Sequence, residues 1–416
     1  MGWILHSDIN SCYASIELVF RPELRDKPFV VGGDEEARHG IILAKNLIAK
    51  KYGIKTGATL LEARRCCPTL ISVPPNYQLY LKFSRIIREI YLEYSDAVEP
   101  FGLDEAWVDI SHIASDSKEA TMVAEEIRAR IYKELGVTVS IGVSWNKPYA
   151  KLGSDYRKPD AVTVITPDNY KQIVYPLPAS DLLYVGPATT KKLAAYSIRT
   201  IGDMVEAGER NFLKQLLGKV GTMLTVFASG RDITPVIPMG EEAIIKSVGN
   251  SSTFHRDLVN DDDIRIAFYV LAESVSARLR EGGFECKTVQ ISLRGNDLFR
   301  FERQMKLDRQ TNLASELVPA AMRLFKKNYH WSRPLRSVGI RGVDLSPIGS
   351  PQQLSLLVDE YSRDKVIALE NSVDYIRERF GYHSCQRALF LTDKHLSGLD
   401  ARKDNVIHPV GYTYIS

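Results

Sequence analysis

Apolar and polar positions follow two distinct spacings in the first 165 residues, which predicts that this region mixes strands with helices. Short apolar runs, typical of strands, lie at 3–7, 28–32, 40–44, 97–101, 106–110 and 137–143. Apolar residues at helical spacing lie at 13–20, 45–52, 59–67, 78–95 and 117–135. We expect these elements to surround one sheet, with acidic residues in its loops and at its strand ends.

After residue 165 the pattern changes twice. Residues 166–235 are predicted to form a small helical unit, and residues 236–243 a linker. Residues 244–345 are predicted to form a βαββαβ unit, an α+β sandwich with a four-stranded sheet. Its strands are expected at 246–254, 287–294, 298–307 and 335–343, with helices at 261–280 and 312–329. The tail, 346–416, contains one amphipathic helix at 366–380, and residues 382–416 show no pattern that indicates a role.

The composition is that of an ordinary globular protein, with 44% hydrophobic and 25% charged residues. A chain of 416 residues exceeds the length of one ordinary core, so several domains are expected. The net charge of +3 gives no global attraction to a polyanion, so a nucleic-acid surface must be local. The 5 cysteines form no C-x-x-C pair, which favours reduced thiols, and no apolar run has the length of a membrane span. We expect a cytoplasmic, monomeric enzyme without membrane attachment.

Three acidic residues lie beside strand-like segments. Asp8 follows the first apolar run, and Asp104 and Glu105 lie between two others in FGLDEAWVDIS. Carboxylates next to buried strands are unfavourable unless cations or hydrogen-bond donors compensate them. Hard oxygen ligands of this kind suit Mg²⁺, and two such ions, as in phosphoryl transfer, would account for all three acids. The alternatives are that Asp8 caps the following helix and that Asp104 and Glu105 form a solvated turn.

Basic residues occur in four places where they could contact phosphate. Lys50 on a short helix and Lys158 before a proline could contact a triphosphate, although lysines on helices commonly face solvent. Gly186 precedes a helix carrying Lys191, as in a helix-hairpin-helix contact to DNA; an ordinary Gly-Pro turn is the alternative. The later sheet is predicted to carry a basic face for DNA or an ordinary solvated face, with Arg294, Arg300, Arg336 and Arg341.

Three segments resemble the signature motifs of the Y-family translesion DNA polymerases, in the DNA polymerase IV/V class. They are DINSCYASIE, GLDEAWVDIS and SIGVSWNKPYAKLGSDYRKP, in the family's order and spacing. The resemblance implies a right-hand polymerase: palm and fingers in 1–165 (fingers about 11–75), a helix-hairpin-helix thumb in 166–235, and a little finger in 244–345. It also implies template-directed, low-fidelity DNA synthesis past damaged or stalled templates, with primer-template DNA and a dNTP as partners.

The resemblance assigns roles to the acids and to one lysine. Asp8, Asp104 and Glu105 would hold two Mg²⁺ ions, with the backbone carbonyl of Ile9 as a further ligand. By the same resemblance, Lys158 would contact the triphosphate.

Tyr13 matches the family's steric gate, a flat ring that leaves no room for a ribose 2′-hydroxyl. Without the resemblance, Tyr13 is interpreted as a half-buried aromatic of a short helix. The chain also departs from the family. Leu47 and Lys50 occupy positions where many members have tyrosine and arginine, so triphosphate contacts must differ locally. Gly102 stands where many have serine, and the segment 10–12 replaces acidic or aromatic residues.

The tail contains QLSLL, which closely resembles the peptide that docks bacterial replication proteins on the sliding clamp. The residues concerned are Gln353, Leu354, Leu356 and Leu357, and an ordinary amphipathic segment is the alternative. Two rival functions remain: a noncatalytic DNA-binding repair factor, and a nucleotide cyclase with a similar two-metal palm.

Overall fold

The computed structural model describes residues 2–33, 40–241, 245–351 and 360–401, and the chain divides into two units. The described residues of Met1–Gly33 and Ile41–Ala243 form the first unit, and those of Ile244–Val406 form the second.

A five-stranded sheet lies at the centre of the first unit, in the order β5-β6-β1-β7-β8. Its strands are β1 (Ile4–Ile9), β5 (Val98–Phe101), β6 (Glu105–Asp109), β7 (Val139–Ser144) and β8 (Val162–Val164). β1 runs antiparallel to both of its neighbours, β6 and β7, and all of its residues are buried. A residue on β1 is therefore fixed by hydrogen-bonded strands on both sides.

The first 165 residues contain a second sheet, so the expectation of a single sheet was wrong. β2 (Phe29–Gly32) pairs antiparallel with β3 (Ile42–Lys45) and parallel with β4 (Ile71–Val73). These strands have a small core of their own, built around Val30, Ile42 and neighbouring apolar residues. Apolar runs predict strands but do not specify their pairing partners, which is why the sequence suggested one sheet.

The first unit contains eleven helices in its described residues, five of which follow its last strand in the chain. They are α1 (Cys12–Phe20), α2 (Leu47–Lys51), α3 (Leu60–Cys66), α4 (Tyr77–Leu92), α5 (Ser117–Leu135), α6 (Lys147–Tyr156), α7 (Tyr170–Ile173), α8 (Pro187–Ala194), α9 (Ile201–Glu209), α10 (Phe212–Leu217) and α11 (Lys219–Ala228). The bounds of α5 match the prediction because Asp116 caps its first turn and Gly136 ends it in the left-handed conformation.

Helix α6 lies unusually close to the sheet. Gly142 on β7 faces its backbone, and a Cβ there would lie 1.8 Å from the Ala150 carbonyl oxygen. The missing side chain allows the helix to pack directly against β7 and β1. Two residues of α6 thereby contact the sheet near the acids: Ser154 Oγ lies 2.8 Å from His6 Nδ1, and Lys151 Nζ lies 2.5 Å from Glu105 Oε2.

Part of the predicted linker packs on the first unit. Val236 is buried beside Ile4 and Trp107, and the Ile237 N–H donates to Glu99 Oε2 at 2.8 Å. The described part of this segment has no helix or strand, as its prolines predict, but the Val236 side chain belongs to a core.

The second unit has the predicted βαββαβ order. Its four-stranded sheet, β11-β10-β12-β9, is antiparallel throughout. The elements are β9 (Ser247–Leu258), α12 (Asp261–Glu281), β10 (Phe284–Gly295), β11 (Arg300–Thr311), α13 (Ala314–Asn328) and β12 (Leu335–Pro347). Both helices contribute to the same core as the inward residues of the sheet.

The chain after residue 360 completes the second unit. α14 (Glu360–Phe380) is followed by short 3₁₀ turns at Tyr382–Ser384 and Ala388–Thr392 and by α15 (Lys394–Ser397). Phe390 and Leu396 enter the core of the second unit, and Asp393 forms a salt bridge with Arg256. In the described part of the chain, we find no helix with the length and apolarity needed to span a membrane.

Candidate active site

The register of the central sheet brings two of the predicted acids together. Asp8 on β1 is directly opposite Glu105 on β6, and residues opposed in this way project from the same face. Asp104 lies in the turn just before β6, where its carbonyl oxygen accepts a hydrogen bond from the Ile9 N–H at 3.0 Å. The structure therefore places Asp8, Ile9, Asp104 and Glu105 at one end of β1.

Asp8 is buried and paired with a lysine. Lys158 Nζ lies 2.6 Å from Asp8 Oδ2 and 2.7 Å from Asp155 Oδ1. Burial raises the pKa of Asp8 to about 7, against the opposing charge of Lys158, and the negative charge of Glu105 adds to the increase. Burial, with the charge of Glu105, also raises the pKa of Asp104.

Glu105 has two neighbours on a single oxygen. Lys151 Nζ lies 2.5 Å from Glu105 Oε2, and His6 Nε2 lies 3.3 Å from the same atom. Burial acts to raise the pKa of Glu105, but His6 and Lys151 outweigh it and lower that pKa below its ordinary value. Among the described residues, none contacts Glu105 Oε1 or Asp8 Oδ1 within hydrogen-bond distance.

These carboxylates form a donor set that suits a hard divalent cation. Three acids lie in a partly buried region, where burial raises the pKa of Asp8 and of Asp104 and disfavours their ionised forms unless a cation is close. In the arrangement of the described residues, no cluster of three or more histidine, cysteine or acidic side chains is already shaped around an ion. Lys158 and Lys151 hold one oxygen each, so the side chains would have to adjust to bind a metal.

Tyr13 is fixed by neighbouring aromatic rings. It is half-buried on α1 and stacks on Tyr80, with ring centroids 4.3 Å apart and planes 11° apart, while Tyr77 contacts its edge. Tyr80 is held in turn, because its hydroxyl donates to Glu17 at 2.7 Å. The Tyr13 ring is therefore a rigid surface close to the end of β1.

The residues between Asp8 and Tyr13 form the turn that joins β1 to α1. Asn10 is buried; its amide donates to Thr138 Oγ1 at 3.1 Å and its Oδ1 accepts from the Ser140 hydroxyl at 2.9 Å. Ser11 has a φ of 49°, the left-handed conformation that permits the sharp turn. These residues, which the sequence left unexplained, set the direction in which α1 presents Tyr13.

The backbone conformation at residue 102 explains why a glycine occupies this position. Its φ is 77°, in the short turn between β5 and β6, and its carbonyl oxygen accepts a hydrogen bond from Arg88 at 2.7 Å. A serine at this position would be strained in this backbone. Glycine at this position therefore suits the turn that presents Asp104.

Lys50 and the predicted thumb residues lie at the surface. Lys50 is exposed on α2, and the described contacts do not bring it to the acids. Burial of Lys45 lowers its pKa, and the positive charge of Lys50 adds to the decrease. Gly186 precedes α8 and Lys191 lies on it, both exposed, as a phosphate contact requires.

Three of the four predicted DNA-binding arginines of the second unit lie on one face of its sheet. Arg294 on β10 is opposite Arg300 on β11, and Gln290 on β10 is opposite Arg341 on β12. Gln290 and Arg294 are four residues apart on one strand, so they project from the same face. These side chains lie on the face away from α12 and α13. Arg336 is half-buried beside an irregularity in the β10–β12 pairing. The clamp-like residues Gln353, Leu354, Leu356 and Leu357 lie outside the described residues.

Three residues close to the acids, His6, Lys151 and Ser154, were not predicted from the sequence. His6 alternates with Asp8 along β1, so the two share a face. Lys151 and Ser154 lie on α6, a helix that the analysis did not identify. The spacing of Lys151, Asp155 and Lys158 would place their side chains along one side of a helix, and this was the signal available.

The chain is similar to known proteins over most of its length. Residues 7–155 match the model of the impB/mucB/samB family, and residues 245–356 match the model of its C-terminal domain. A protein of Acetivibrio thermocellus named DNA polymerase IV is 49% identical over 95% of this chain and 98% of its own length. One of Pelotomaculum thermopropionicum with the same name is 36% identical over 94% of this chain and 95% of its own.

The fold is also that of a solved protein. A Y-family DNA polymerase chimera superposes with a TM-score of 0.72, covering 82% of this chain and 98% of the chimera at 21% identity. This likeness confirms the predicted α+β multidomain polymerase fold. Because the family models cover most of the chain and the relatives span nearly all of it, the chain belongs to the impB/mucB/samB family and is a bacterial DNA polymerase of the Y-family.

Proposed function

We propose that this polymerase performs low-fidelity, template-directed DNA synthesis past damaged or stalled templates, by two-metal nucleotidyl transfer. The observation that carries the chemistry is the direct opposition of Asp8 and Glu105, with Asp104 beside them, each opposed acid having one oxygen without a described partner. Three acids held this close on rigid strands are a suitable ligand set for Mg²⁺.

In the proposed reaction the primer 3′-oxygen bonds to the α-phosphorus of the dNTP as the bond to pyrophosphate breaks. Asp8, Asp104 and Glu105, with the Ile9 carbonyl, would hold two Mg²⁺ ions. When bound, such ions supply Lewis-acid stabilisation of the attacking and leaving oxygens. Lys158, whose ammonium group already lies among these carboxylates, would pair with the triphosphate, and Lys50 would approach it from the fingers. No side chain of the described site is assigned as a general base.

The sugar selectivity would come from Tyr13. Stacking on Tyr80 and edge contact with Tyr77 restrict rotation of the ring, so it could not swing aside for a 2′-hydroxyl. A rigid wall excludes by steric clash rather than by a lost hydrogen bond. We therefore propose Tyr13 as the steric gate that selects deoxyribonucleotides.

The proposed domain roles follow the predicted boundaries. Residues 1–165 would be palm and fingers, 166–235 a helix-hairpin-helix thumb, 236–243 a linker, and 244–345 a little finger. The thumb would contact DNA phosphates at Gly186 and Lys191, and the little finger through Arg294, Arg300, Arg336 and Arg341. We propose that QLSLL, within 353–357, docks on the sliding clamp, and that the enzyme acts as a monomer in the cytoplasm.

Primer extension tests the proposal. Wild type should extend a primer with Mg²⁺ and dNTPs, including opposite an abasic site, and Asp104→Ala should abolish extension while DNA binding persists. Binding without incorporation by wild type would favour the noncatalytic repair factor. Turnover of a nucleoside triphosphate without DNA would favour the cyclase. Tyr13→Ala should increase ribonucleotide incorporation by about 10- to 100-fold, and unchanged discrimination would contradict the gate.

A further inference from the structure

The turn between β10 and β11 presents two apolar side chains to solvent. It spans residues 296–299, and in it Leu298 and Phe299 are 54% and 67% exposed. Leu298 has a φ of 70°, in the left-handed region that favours glycine or asparagine. Because solvent and backbone would both favour other residues here, the folding of the turn does not explain its two apolar side chains.

The turn is held in one shape by hydrogen bonds. The Gly295 N–H donates to the Phe299 carbonyl at 3.0 Å, and the Phe299 N–H donates to Asp297 Oδ1 at 3.1 Å. Asp297 also forms a salt bridge with Arg333, just before β12. A partner that binds at Phe299 would therefore need to order little of the backbone.

Phe299 is the outermost ring of an aromatic series. Its centroid lies 6.4 Å from that of Phe301, the Phe301 centroid lies 6.3 Å from that of Tyr329, and the Tyr329 centroid lies 5.4 Å from that of Phe325. Successive planes are inclined by 35°, 19° and 28°, as in offset stacking. Phe325, at the other end, is buried in the core of the second unit. The series thus runs from the core to solvent and ends at a mostly exposed ring.

The surroundings of the turn are basic. Arg294 and Arg300 lie directly opposite each other on the two strands that the turn joins. The two nearest acids in the sequence, Asp297 and Glu302, are paired with Arg333 and Arg300. The acids at the turn are therefore compensated, and the flanking arginines give it a local positive charge.

An exposed ring among cations suits an unpaired nucleotide. Segment 317–343, which contains Tyr329, has 6 lysines and arginines and no acid, so the charge here favours a polyanion although the net charge of the chain is only +3. Proteins commonly hold single strands by stacking bases on aromatic side chains. In a duplex the neighbouring pairs cover both faces of a base. An apolar protein partner would use the ring but not the charge.

We propose that Phe299 stacks on an unpaired base of single-stranded DNA, while Arg294 and Arg300 contact the phosphates beside it. The second unit would then distinguish unpaired from paired template, because only an unpaired base has a face free for the ring. This inference rests on the proposed DNA-binding role of the second unit and does not depend on the metal site.

Binding of full-length protein to two kinds of DNA tests the inference. Fluorescence anisotropy follows a short labelled oligothymidine and a long labelled duplex, in which few bases are terminal. Phe299→Ala removes the ring, Phe299→Leu keeps apolar bulk without a flat face, and Phe299→Trp keeps a flat face. Phe380→Ala is the matched control, because Phe380 is 66% exposed in the same unit and has the Arg379 guanidinium 5.2 Å from its ring centroid.

The loss of the ring should weaken binding to the single strand alone. We expect Phe299→Ala and Phe299→Leu to raise the Kd for oligothymidine about tenfold, and Phe299→Trp to retain the wild-type value. The Kd for the duplex should change less than about twofold in all three variants, and Phe380→Ala should change neither Kd. Each variant alters a mostly exposed side chain, so its melting temperature should stay close to that of wild type.

Photocrosslinking locates the contact. A strand with a single 5-iododeoxyuridine crosslinks on irradiation to an aromatic ring stacked on that base, and peptide mapping should find Phe299 among the crosslinked residues of wild type. The crosslink at this position should be lost in Phe299→Leu and kept in Phe299→Trp.

Several results would overturn the inference. They are unchanged single-strand binding in Phe299→Ala, an equal loss on the duplex, wild-type binding by Phe299→Leu, binding by Phe299→Trp as weak as by Phe299→Ala, or no crosslink at Phe299. If wild type binds the duplex normally, these results leave the proposed function standing. Wild type that binds neither DNA would overturn the proposed DNA-binding function itself, and the role of Phe299 with it.

Discussion

Asp8 should destabilise the metal-free protein at neutral and alkaline pH. Burial raises its pKa from 3.8 to about 7 in the folded state, whereas the unfolded chain releases the proton at the ordinary value. Between those pH values the folded state binds more protons than the unfolded state, so its free energy of unfolding falls as pH rises. Asp8→Asn removes this dependence while keeping the shape of the side chain.

The size of the effect follows from the two pKa values. At about 1.4 kcal/mol per pKa unit, the difference between the folded and unfolded pKa values of Asp8 lowers the free energy of unfolding by about 2 kcal/mol at pH 5, where folding takes up a proton, and by about 4 kcal/mol at pH 8, where the buried carboxylate is ionised. Asp8→Asn should therefore be more stable than wild type by about these amounts. Lys158 keeps a partner in the variant, because Asp155 lies 2.7 Å from it.

Urea unfolding in EDTA at both pH values measures the difference. Three of the 4 tryptophans, Trp3, Trp107 and Trp145, lie in the first unit, so their fluorescence reports mainly on the unit that contains Asp8. Asp155→Asn is the control, since its side chain is 46% exposed and its loss should change stability by less than about 1 kcal/mol at either pH. A stability gap that does not widen from pH 5 to pH 8, or an Asp8→Asn variant less stable than wild type, would refute the reasoning.

Three further predictions test packing and DNA binding. Gly142→Ala should destabilise the first unit by about 3 kcal/mol or more in urea unfolding, because its Cβ would overlap the Ala150 carbonyl; a near-neutral effect would contradict the close approach of α6. Phe390→Ala should destabilise the second unit by about 3–5 kcal/mol by the same measurement, and a change below about 1 kcal/mol would show that the turn at Ala388–Thr392 does not belong to that core. Arg341→Ala should weaken DNA binding and reduce its salt dependence by about one phosphate contact, whereas Arg303→Ala, on the other sheet face, should change neither; equal effects in fluorescence anisotropy would contradict a DNA-binding face.

Local sequence patterns were sufficient to predict much of the fold. The bounds of α5 and the βαββαβ order of the second unit follow from apolar spacing and capping, which are properties of neighbouring residues. Strand pairing is a property of the whole chain, and the second sheet of the first unit was missed for that reason. The contribution of Phe390 was missed because a single apolar residue in an irregular segment has no periodicity.

The candidate site divides in the same way. The acids and Tyr13 could be identified because they lie in motifs with a recognisable order. Lys151 and His6 could not, since their importance depends on which atoms α6 and β1 bring next to Glu105. Asn10 was unexplained for the same reason: its partners, Thr138 and Ser140, are distant in sequence.

The opposition of Asp8 and Glu105 has a consequence for how this gene can change length. Inserting or deleting one codon within β1 or β6 would shift the pairing by one residue and turn one acid to the other side of the sheet. The same change between β6 and α5, at residues 111–115, would be absorbed by a turn. Length variation should therefore be tolerated around this site but not within its two strands, where only substitutions preserve it.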